Sequence, residues 1–215
     1  LGKRGKKTVS LLRVAAMVSG SGSTAHYLLQ QTRPGGLLYG VVEIGCLIAS
    51  EADIGAIDKF ASDNFGGNIY VCNPKEAGDQ FGHRLAGIII QEEVDLFGQY
   101  GWLPMTSEEL INYCLGTNQH PAAVPWFGGQ GMYSRAPHAA VLNFAKTVNR
   151  PIITVATAQV VDKEYDKGRI LLEVPLAVNP QWSVEQLQTA LLPLEWQCQA
   201  FALLRIAAYG GKVPP

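Results

Sequence analysis

Charged residues are scarce in this sequence, and neither sign is in excess. Asp, Glu, Lys and Arg make up 16% of the 215 residues, and the formal net charge is -1 at pH 7. Proteins that bind nucleic acid through its phosphates carry a basic face, so we expect no nucleic-acid partner. The hydrophobic fraction of 47% excludes a disordered chain and is sufficient for a core of ordinary size.

Cysteine is also infrequent. Cys46, Cys72, Cys114 and Cys198 lie far apart and form no C-x-x-C pair, so we expect neither a disulfide framework nor a zinc site. Reduced thiols favour a cytoplasmic protein. The histidines show no local metal-ligand spacing, and the G-x-S-x-G turn of serine hydrolases is missing. We therefore assign no metal and no serine nucleophile.

Long apolar runs are missing as well. No stretch reaches the ~20 residues that cross a bilayer, so we expect no membrane partner. The basic residues near the start, within LGKRGKK, are interpreted as part of a flexible leader covering residues 1–10. Residues 11–210 are expected to form a single domain.

Short apolar runs alternate with segments of helical spacing. The runs typical of buried strands are residues 12–18, 40–49, 68–72, 95–99 and 151–161. The segments with helical spacing are residues 54–64, 75–91 and 183–209, the last with Ser183 as N-cap and Gly210 as stop signal. This alternation predicts an α/β fold with a doubly wound, mostly parallel sheet. Residues 170–175 are expected to add an antiparallel C-terminal hairpin strand before a long C-terminal helix.

A turn of small residues follows the first apolar run. It comprises Gly20, Ser21, Gly22, Ser23 and Thr24. Backbone N–H groups between a strand and a helix, together with the helix dipole, attract an anion such as phosphate. The lysine of a P-loop and the G-x-G-x-x-G spacing are both missing. By itself the turn is therefore compatible with a phosphate site or with a plain strand-to-helix connection.

The most unusual segment is TNQHPAAVPWFGGQGMY, residues 117–133. Asn118 and His120 are two residues apart, so their side chains project to the same face of an extended chain. An amide and an imidazole placed in this way can converge on one reacting oxygen. A histidine with a packing role is the alternative, which the following proline and glycine-rich loop make less favourable.

Three acidic residues lie in the turn after the run 151–161. Asp162, Glu164 or Asp166 could face a histidine and influence its protonation. An ordinary solvated hairpin turn is the alternative interpretation.

Together these motifs resemble the phosphoribosylglycinamide formyltransferase family over about residues 12–210. The segment 117–133 is similar to the family's Asn-x-His-Pro motif, VVDKEYDKGRIL to its acidic turn, and SGSGST to its phosphate turn. The resemblance implies a Rossmann-like formyltransferase fold and a transferase of purine biosynthesis. Its reaction would carry the formyl group of 10-formyltetrahydrofolate to the amine of glycinamide ribonucleotide.

The resemblance also implies roles for single residues. Asn118 and a protonated His120 would stabilise the oxyanion of a tetrahedral intermediate, and Asp166 would orient the imidazole and assist proton removal. The N-terminal half would bind the nucleotide phosphate, through Gly20 to Thr24. Glu195, in the last helix, would bind the ribose.

The C-terminal half is expected to supply catalysis and folate binding, and by resemblance the folate is received by Trp102, Leu103, Pro104 and Met105. Four positions depart from the family pattern and bear on substrate identity: Thr24 for asparagine, Pro104 for a basic residue, Gln159 for histidine and Leu192 for a polar residue.

Three alternative functions stay open from the sequence. They are formyl transfer to another amine, hydrolysis of formyltetrahydrofolate by a deformylase, and non-catalytic binding of nucleotide or folate. The partners are expected to be small molecules, and a homodimer is possible.

Overall fold

The computed structural model describes residues 11–215, so the leader expected over residues 1–10 lies outside the described part of the chain. Seven strands form one sheet. They are β1 (Leu12–Val18), β2 (Val42–Ala49), β3 (Asn68–Val71), β4 (Leu96–Gln99), β5 (Leu115–His120), β6 (Ile152–Val160) and β7 (Ile170–Val178). Their order across the sheet is β3-β2-β1-β4-β5-β6-β7.

The strand directions confirm the predicted sheet. Every pair from β3 to β5 is parallel, whereas β6 pairs antiparallel with both β5 and β7. The strand order runs outward from β1 in one direction through β2 and in the other through β4. The carboxyl ends of β1 and β4 therefore flank the point at which ligands of doubly wound folds bind.

Seven α-helices connect and cover the strands. They are α1 (Ser23–Gln31), α2 (Gly55–Ser62), α3 (Pro74–Ala77), α4 (Phe81–Gln91), α5 (Glu108–Tyr113), α6 (Ala136–Val148) and α7 (Val184–Ala208). The continuous helix predicted over 75–91 is wrong in its first part, where α3 ends and a 3₁₀ turn covers Gly78–Gln80. Gly78 has φ +50°, which a right-handed helix cannot continue through.

The C-terminal helix begins where the sequence predicts it. The Ser183 hydroxyl accepts a hydrogen bond from the Gln186 backbone N–H, and the Gln186 side chain accepts one from the Ser183 N–H. This capping box satisfies two backbone donors that a helix start leaves free. The helix then crosses β6 and β7 and contacts α1, which places its middle beside the carboxyl end of β5.

The core lies on both faces of the sheet. Along β1, Val14 and Ala16 pack into the cluster shared with α1, α2 and α7, whereas Ala15 and Met17 pack into the cluster shared with α4 and α5. A strand buried on both faces is apolar at nearly every position, which accounts for the run LRVAAMV. Its one charged residue, Arg13, is half-buried and pairs with Glu43 and Glu92. No helix within residues 11–215 is both long and apolar enough to cross a membrane.

Candidate active site

Two loops meet at the carboxyl ends of β1 and β4. The Ser19 backbone N–H donates to the Gly101 carbonyl over 3.1 Å, and the Leu103 N–H donates to the Ser19 hydroxyl over 3.0 Å. These bonds hold the small-residue turn after β1 against the loop that the sequence predicted as a folate site. Two motifs about 80 residues apart in the sequence are thus neighbours in the fold.

A cavity of about 610 Å³ opens beside this junction, within the size range typical of small-molecule sites. Most of the segments that the sequence predicted to be functional line this cavity. Its walls are Ser21 from the first turn, residues 102–106, 118–121 and 129–134, the acidic turn, and Glu195 from α7. No lysine or arginine lies among these described lining residues, whereas Asp162, Glu164, Asp166 and Glu195 contribute carboxylates.

His120 lies at the end of β5 and is 3% exposed. Its Nε2 is 2.8 Å from the Phe127 carbonyl oxygen. Because a carbonyl only accepts, Nε2 carries a proton whether the ring is neutral or charged. The other ring nitrogen, Nδ1, lies 3.4 Å from Asp166 Oδ2.

Asp166 is the acid of the turn that reaches the histidine. Its Oδ1 accepts from Asn118 Nδ2 at 3.2 Å and from Gln159 Nε2 at 2.7 Å, and its Oδ2 accepts from the Gly129 N–H at 2.9 Å. With His120 Nδ1 as a fourth neighbour, the donors match the roughly four lone-pair positions of a carboxylate.

The backbone of Asp166 has a positive φ of +55°. Non-glycine residues adopt this conformation rarely, and aspartate is one of the residues that tolerate it best. A Cβ on Gly128 would lie 2.8 Å from Asp166 Cβ, so the glycine-rich loop packs directly on the carboxylate. Gly128 therefore permits a close approach that a larger residue would prevent.

Two glutamines complete the site and were not predicted as part of it. Gln159 lies opposite Asn118 in the β5–β6 pairing, where the sequence analysis noted only a departure from the family pattern. Gln119 projects to the other face of β5, and its Nε2 donates to the Glu195 carboxylate. The alternation of neighbouring side chains along a strand could have indicated this second face, but not its partner.

The carboxylate of Glu195 is buried on that second face, and the residue is 5% exposed. Burial raises its pKa to about 7, against the opposing effect of the hydrogen bond from Gln119. Strong desolvation of an acid in a cavity is a frequent property of functional sites.

His138, in α6, lines the same cavity and is 2% exposed. Burial, with a smaller effect from His120, lowers its pKa to about 4. The ring is therefore neutral near pH 7, and its Nδ1 has no hydrogen-bond partner within residues 11–215. The burial of His138 fits a histidine that mainly packs, although the residue also lines the cavity.

Within the predicted phosphate turn, Ser21 borders the cavity. Thr24 is 3% exposed and lies inside α1, away from the cavity lining. Gly22 has φ +61°, and a Cβ at this position would lie 2.5 Å from Ala56 Cβ in α2. Gly22 thus allows α1 and α2 to approach each other. Lys59 of α2 reaches the turn, donating to the Ser21 carbonyl over 2.8 Å.

The loop after β4 presents apolar surface to the cavity. Leu103 and Met105 are exposed, and Pro104 is half-buried between them. Trp102 is buried and stacks on Phe81 with a ring-centroid distance of 6.2 Å, so it supports the loop from behind. An apolar lip of this kind suits a flat ring system.

Comparison with known proteins agrees with these motifs. Residues 12–202 match the model of the family described as formyl transferase. A chloroplastic phosphoribosylglycinamide formyltransferase of Vigna unguiculata is 29% identical over 199 residues, covering 90% of this chain and 60% of the relative. The corresponding Arabidopsis thaliana protein is 27% identical over 183 residues, covering 84% and 60%. The chain thus spans about three fifths of the length of these plant relatives.

Solved structures give the same fold. The glycinamide ribonucleotide transformylase 1 of Symbiobacterium toebii superimposes with a TM-score of 0.78 at 21% identity, covering 93% of this chain and 89% of that one. A phosphoribosylglycinamide formyltransferase of Brucella melitensis gives 0.76 at 19% identity, covering 95% and 98%. Because the family model matches nearly the whole described chain, this protein belongs to the formyl transferase family.

Proposed function

We propose that this protein transfers the formyl group of 10-formyltetrahydrofolate to the primary amine of glycinamide ribonucleotide, a step of purine biosynthesis. The observation that carries the proposal is the joint placement of Asn118, His120 and Asp166 in one cavity, with Asp166 in contact with both of the others. The names of the relatives support the choice of substrates.

The chemistry requires two things from the protein. Negative charge develops on the formyl oxygen when the amine nitrogen bonds to the formyl carbon. The charge is lost again when the carbonyl re-forms and the bond from that carbon to the folate nitrogen breaks. One proton must also leave the amine while one reaches the departing nitrogen. Donors aimed at the oxygen and a group that exchanges protons therefore account for most of the catalysis.

Asn118 and His120 are the proposed oxyanion donors. The Asn118 amide has two N–H bonds, so one can donate to Asp166 while the other donates to the formyl oxygen. The second N–H of a protonated His120 is on Nδ1, because Nε2 donates to the Phe127 carbonyl, and it is proposed to be shared between Asp166 Oδ2, 3.4 Å away, and the formyl oxygen. Removing one donor of this kind typically costs a hundredfold to about a thousandfold in rate.

Asp166 is proposed to orient both donors rather than to accept the proton of the amine. Three hydrogen bonds and the His120 contact surround its two oxygens, which leaves little free capacity for a further donor. Proton transfer from the amine is then assigned to water, because a protonated His120 that donates from both ring nitrogens has no free position to accept a proton.

Binding is divided between the two sides of the cavity. The apolar loop of Trp102, Leu103, Pro104 and Met105 is proposed to receive the pteridine ring, and its exposed surface suits that group. The turn Gly20–Thr24 is proposed to hold the phosphate through backbone N–H groups, with Ser21 nearest the cavity. Glu195 is proposed to accept hydrogen bonds from the ribose hydroxyls.

The test is an assay of tetrahydrofolate release with and without glycinamide ribonucleotide. We expect release only when the amine is present. Equal release without it would identify a deformylase and contradict the transferase. The riboside that lacks the phosphate serves as a matched control substrate, and we expect it to react with a much higher KM because the phosphate turn then has no ligand.

A further inference from the structure

At the end of β5, side chains on both faces of the strand line the cavity. Asn118 and His120 point to the side of Asp166, whereas Gln119, between them, points to the side of α7. The Gln119 amide Nε2 donates to the Glu195 carboxylate. One strand end therefore contacts both the predicted reacting centre and the predicted sugar subsite.

Glu195 is poorly satisfied for a buried acid. Within residues 11–215 the Gln119 amide is the one hydrogen-bond donor that its carboxylate has, although a carboxylate can accept about four bonds. A buried carboxylate with so few donors weakens the folded state. Such an arrangement indicates a group kept for a ligand that brings donors of its own.

Gln119 also has an acceptor without a hydrogen-bond partner. Its Oε1 is buried without a partner among the described residues, and the neighbouring positions of the cavity wall are Leu192 and Glu195. Leu192, one turn before Glu195, offers no polar group. Gln188, one turn before Leu192, also lines the cavity. Gln119 and Glu195 are the two polar residues of this wall that a hydrogen bond joins, and both have acceptor positions without a partner among the described residues.

We propose that Gln119 is a positioning residue whose amide holds the Glu195 carboxylate turned toward the cavity, where it accepts hydrogen bonds from the hydroxyl groups of a sugar. The identity of that sugar as the ribose of the amine substrate rests on the proposed function. The contact between Gln119 and Glu195 does not depend on it.

Other titratable groups border the same cavity and bear on any measurement of Glu195. They are His120 on β5, His138 on α6, Tyr133 in the glycine-rich loop, and Asp162, Glu164, Tyr165 and Asp166 on the acidic turn. Cys198 on α7 is buried outside the lining, but Glu195 influences its pKa. The carboxyl signal of Glu195 is therefore identified by its loss in Glu195→Gln.

The first experiment is a ¹³C NMR titration of glutamate-labelled protein without substrate. Gln119→Met removes the amide while keeping an unbranched side chain of similar size; Gln119→Leu is the second variant if Met alters the circular dichroism spectrum. Because Gln119 favours the ionised acid, we expect the Glu195 carboxyl to titrate at a higher pH in the variant. An unchanged midpoint would overturn the proposal, whatever the enzyme catalyses.

The second experiment separates positioning from general damage. A hydrogen bond to a charged group is worth enough for roughly a tenfold or greater effect. We expect Gln119→Met to raise KM for glycinamide ribonucleotide by about that factor and to change kcat little. In a Glu195→Gln background the same substitution should have almost no further effect. Independent, multiplying effects would overturn the proposal.

The two experiments also distinguish two kinds of failure. If the wild-type protein does not turn over glycinamide ribonucleotide, the proposed function fails, and the NMR titration still decides whether Gln119 controls Glu195.

Discussion

Asp166 illustrates how much of the site depends on single residues brought together from distant parts of the chain. Asn118 and His120 could be selected from the sequence because their spacing places them on one face of a strand. Gln159 could not, since its place opposite Asn118 depends on the β5–β6 register, and its bond to Asp166 depends on how the turn after β6 folds back. Gln119 was missed for a related reason: its partner comes from α7, 76 residues along the chain.

Replacing Gln159 by leucine tests whether the hydrogen bond from Gln159 to Asp166 contributes to catalysis. The substitution removes the 2.7 Å bond to Asp166 Oδ1, so the carboxylate loses one of its constraints and orients Asn118 and His120 less well. We expect kcat to fall roughly tenfold with a smaller change in KM, measured by steady-state kinetics. Gln159→His keeps a side-chain N–H donor and is expected to recover most of the rate. A leucine variant as fast as wild type would show that the bond has no part in catalysis.

The raised pKa of Glu195 predicts a pH dependence of the free energy of unfolding that is opposite to that of most acids. Its pKa is raised from 4.5 to about 7, so between these values the folded protein keeps a proton that the unfolded chain releases. The free energy of unfolding therefore falls as pH rises through that window, and the loss persists above it.

The substitution Glu195→Gln removes the ionisable group and with it this loss of stability at high pH. At pH 8 we expect the variant to unfold with a free energy about 2–3 kcal/mol higher than wild type, and at pH 4 the two should be nearly equal. Urea unfolding at both pH values measures the difference. A variant that is less stable than wild type at pH 8 would contradict the desolvation of this acid.

At the scale of elements, the sequence predicted the strands better than the helices between them. Apolar runs indicate buried strands because both faces of a doubly wound sheet are covered. The interruption between α3 and α4 depends on the positive φ of Gly78, and the spacing of apolar residues does not report a backbone angle. The close approach of α1 and α2 at Gly22 is likewise a property of packing.

The position of α2 has a consequence for binding. Lys59 brings an ammonium group to the Ser21 carbonyl, beside a cavity whose described lining contains no lysine or arginine. A phosphate at the turn would have this cation as a neighbour. We expect Lys59→Met to raise KM for glycinamide ribonucleotide by about tenfold at low salt, and by less at high salt.

The matched control is Lys146→Met, an exposed lysine on α6 that does not line the cavity. It should leave KM unchanged at either salt concentration. Equal effects of both substitutions would assign the change to overall charge rather than to the turn.

At the scale of the whole molecule, one sheet joins the two halves of the chain. β1 to β3 come from the first half, β5 to β7 from the second, and β1 pairs directly with β4. The sequence predicted this architecture because alternating strands and helices with right-handed connections leave few arrangements. The strand order and the position of α7 across β6 and β7 required the structure.

A continuous sheet predicts that both halves unfold together. Of the four tryptophans, Trp102 stacks on Phe81 and Trp196 on Tyr27, both in the first half. With Trp102→Phe and Trp196→Phe in place, the fluorescence of Trp126 and Trp182 reports on the second half. Cys46 and Cys72 are buried in the first half, and their alkylation reports on its opening, with Cys46→Ala and Cys72→Ala identifying the signals. We expect the two urea transitions to coincide. Separated midpoints would indicate two independently unfolding units.

The central claim is that His120 acts in formyl transfer rather than in packing or binding alone. It is tested by measuring kcat and, by calorimetry, ligand affinity for His120→Ala. His83→Ala serves as control, because His83 is an exposed histidine outside the cavity. The account predicts that His120→Ala loses a hundredfold or more of kcat while it binds ligand with an affinity close to that of wild type. Unchanged turnover in His120→Ala would contradict it.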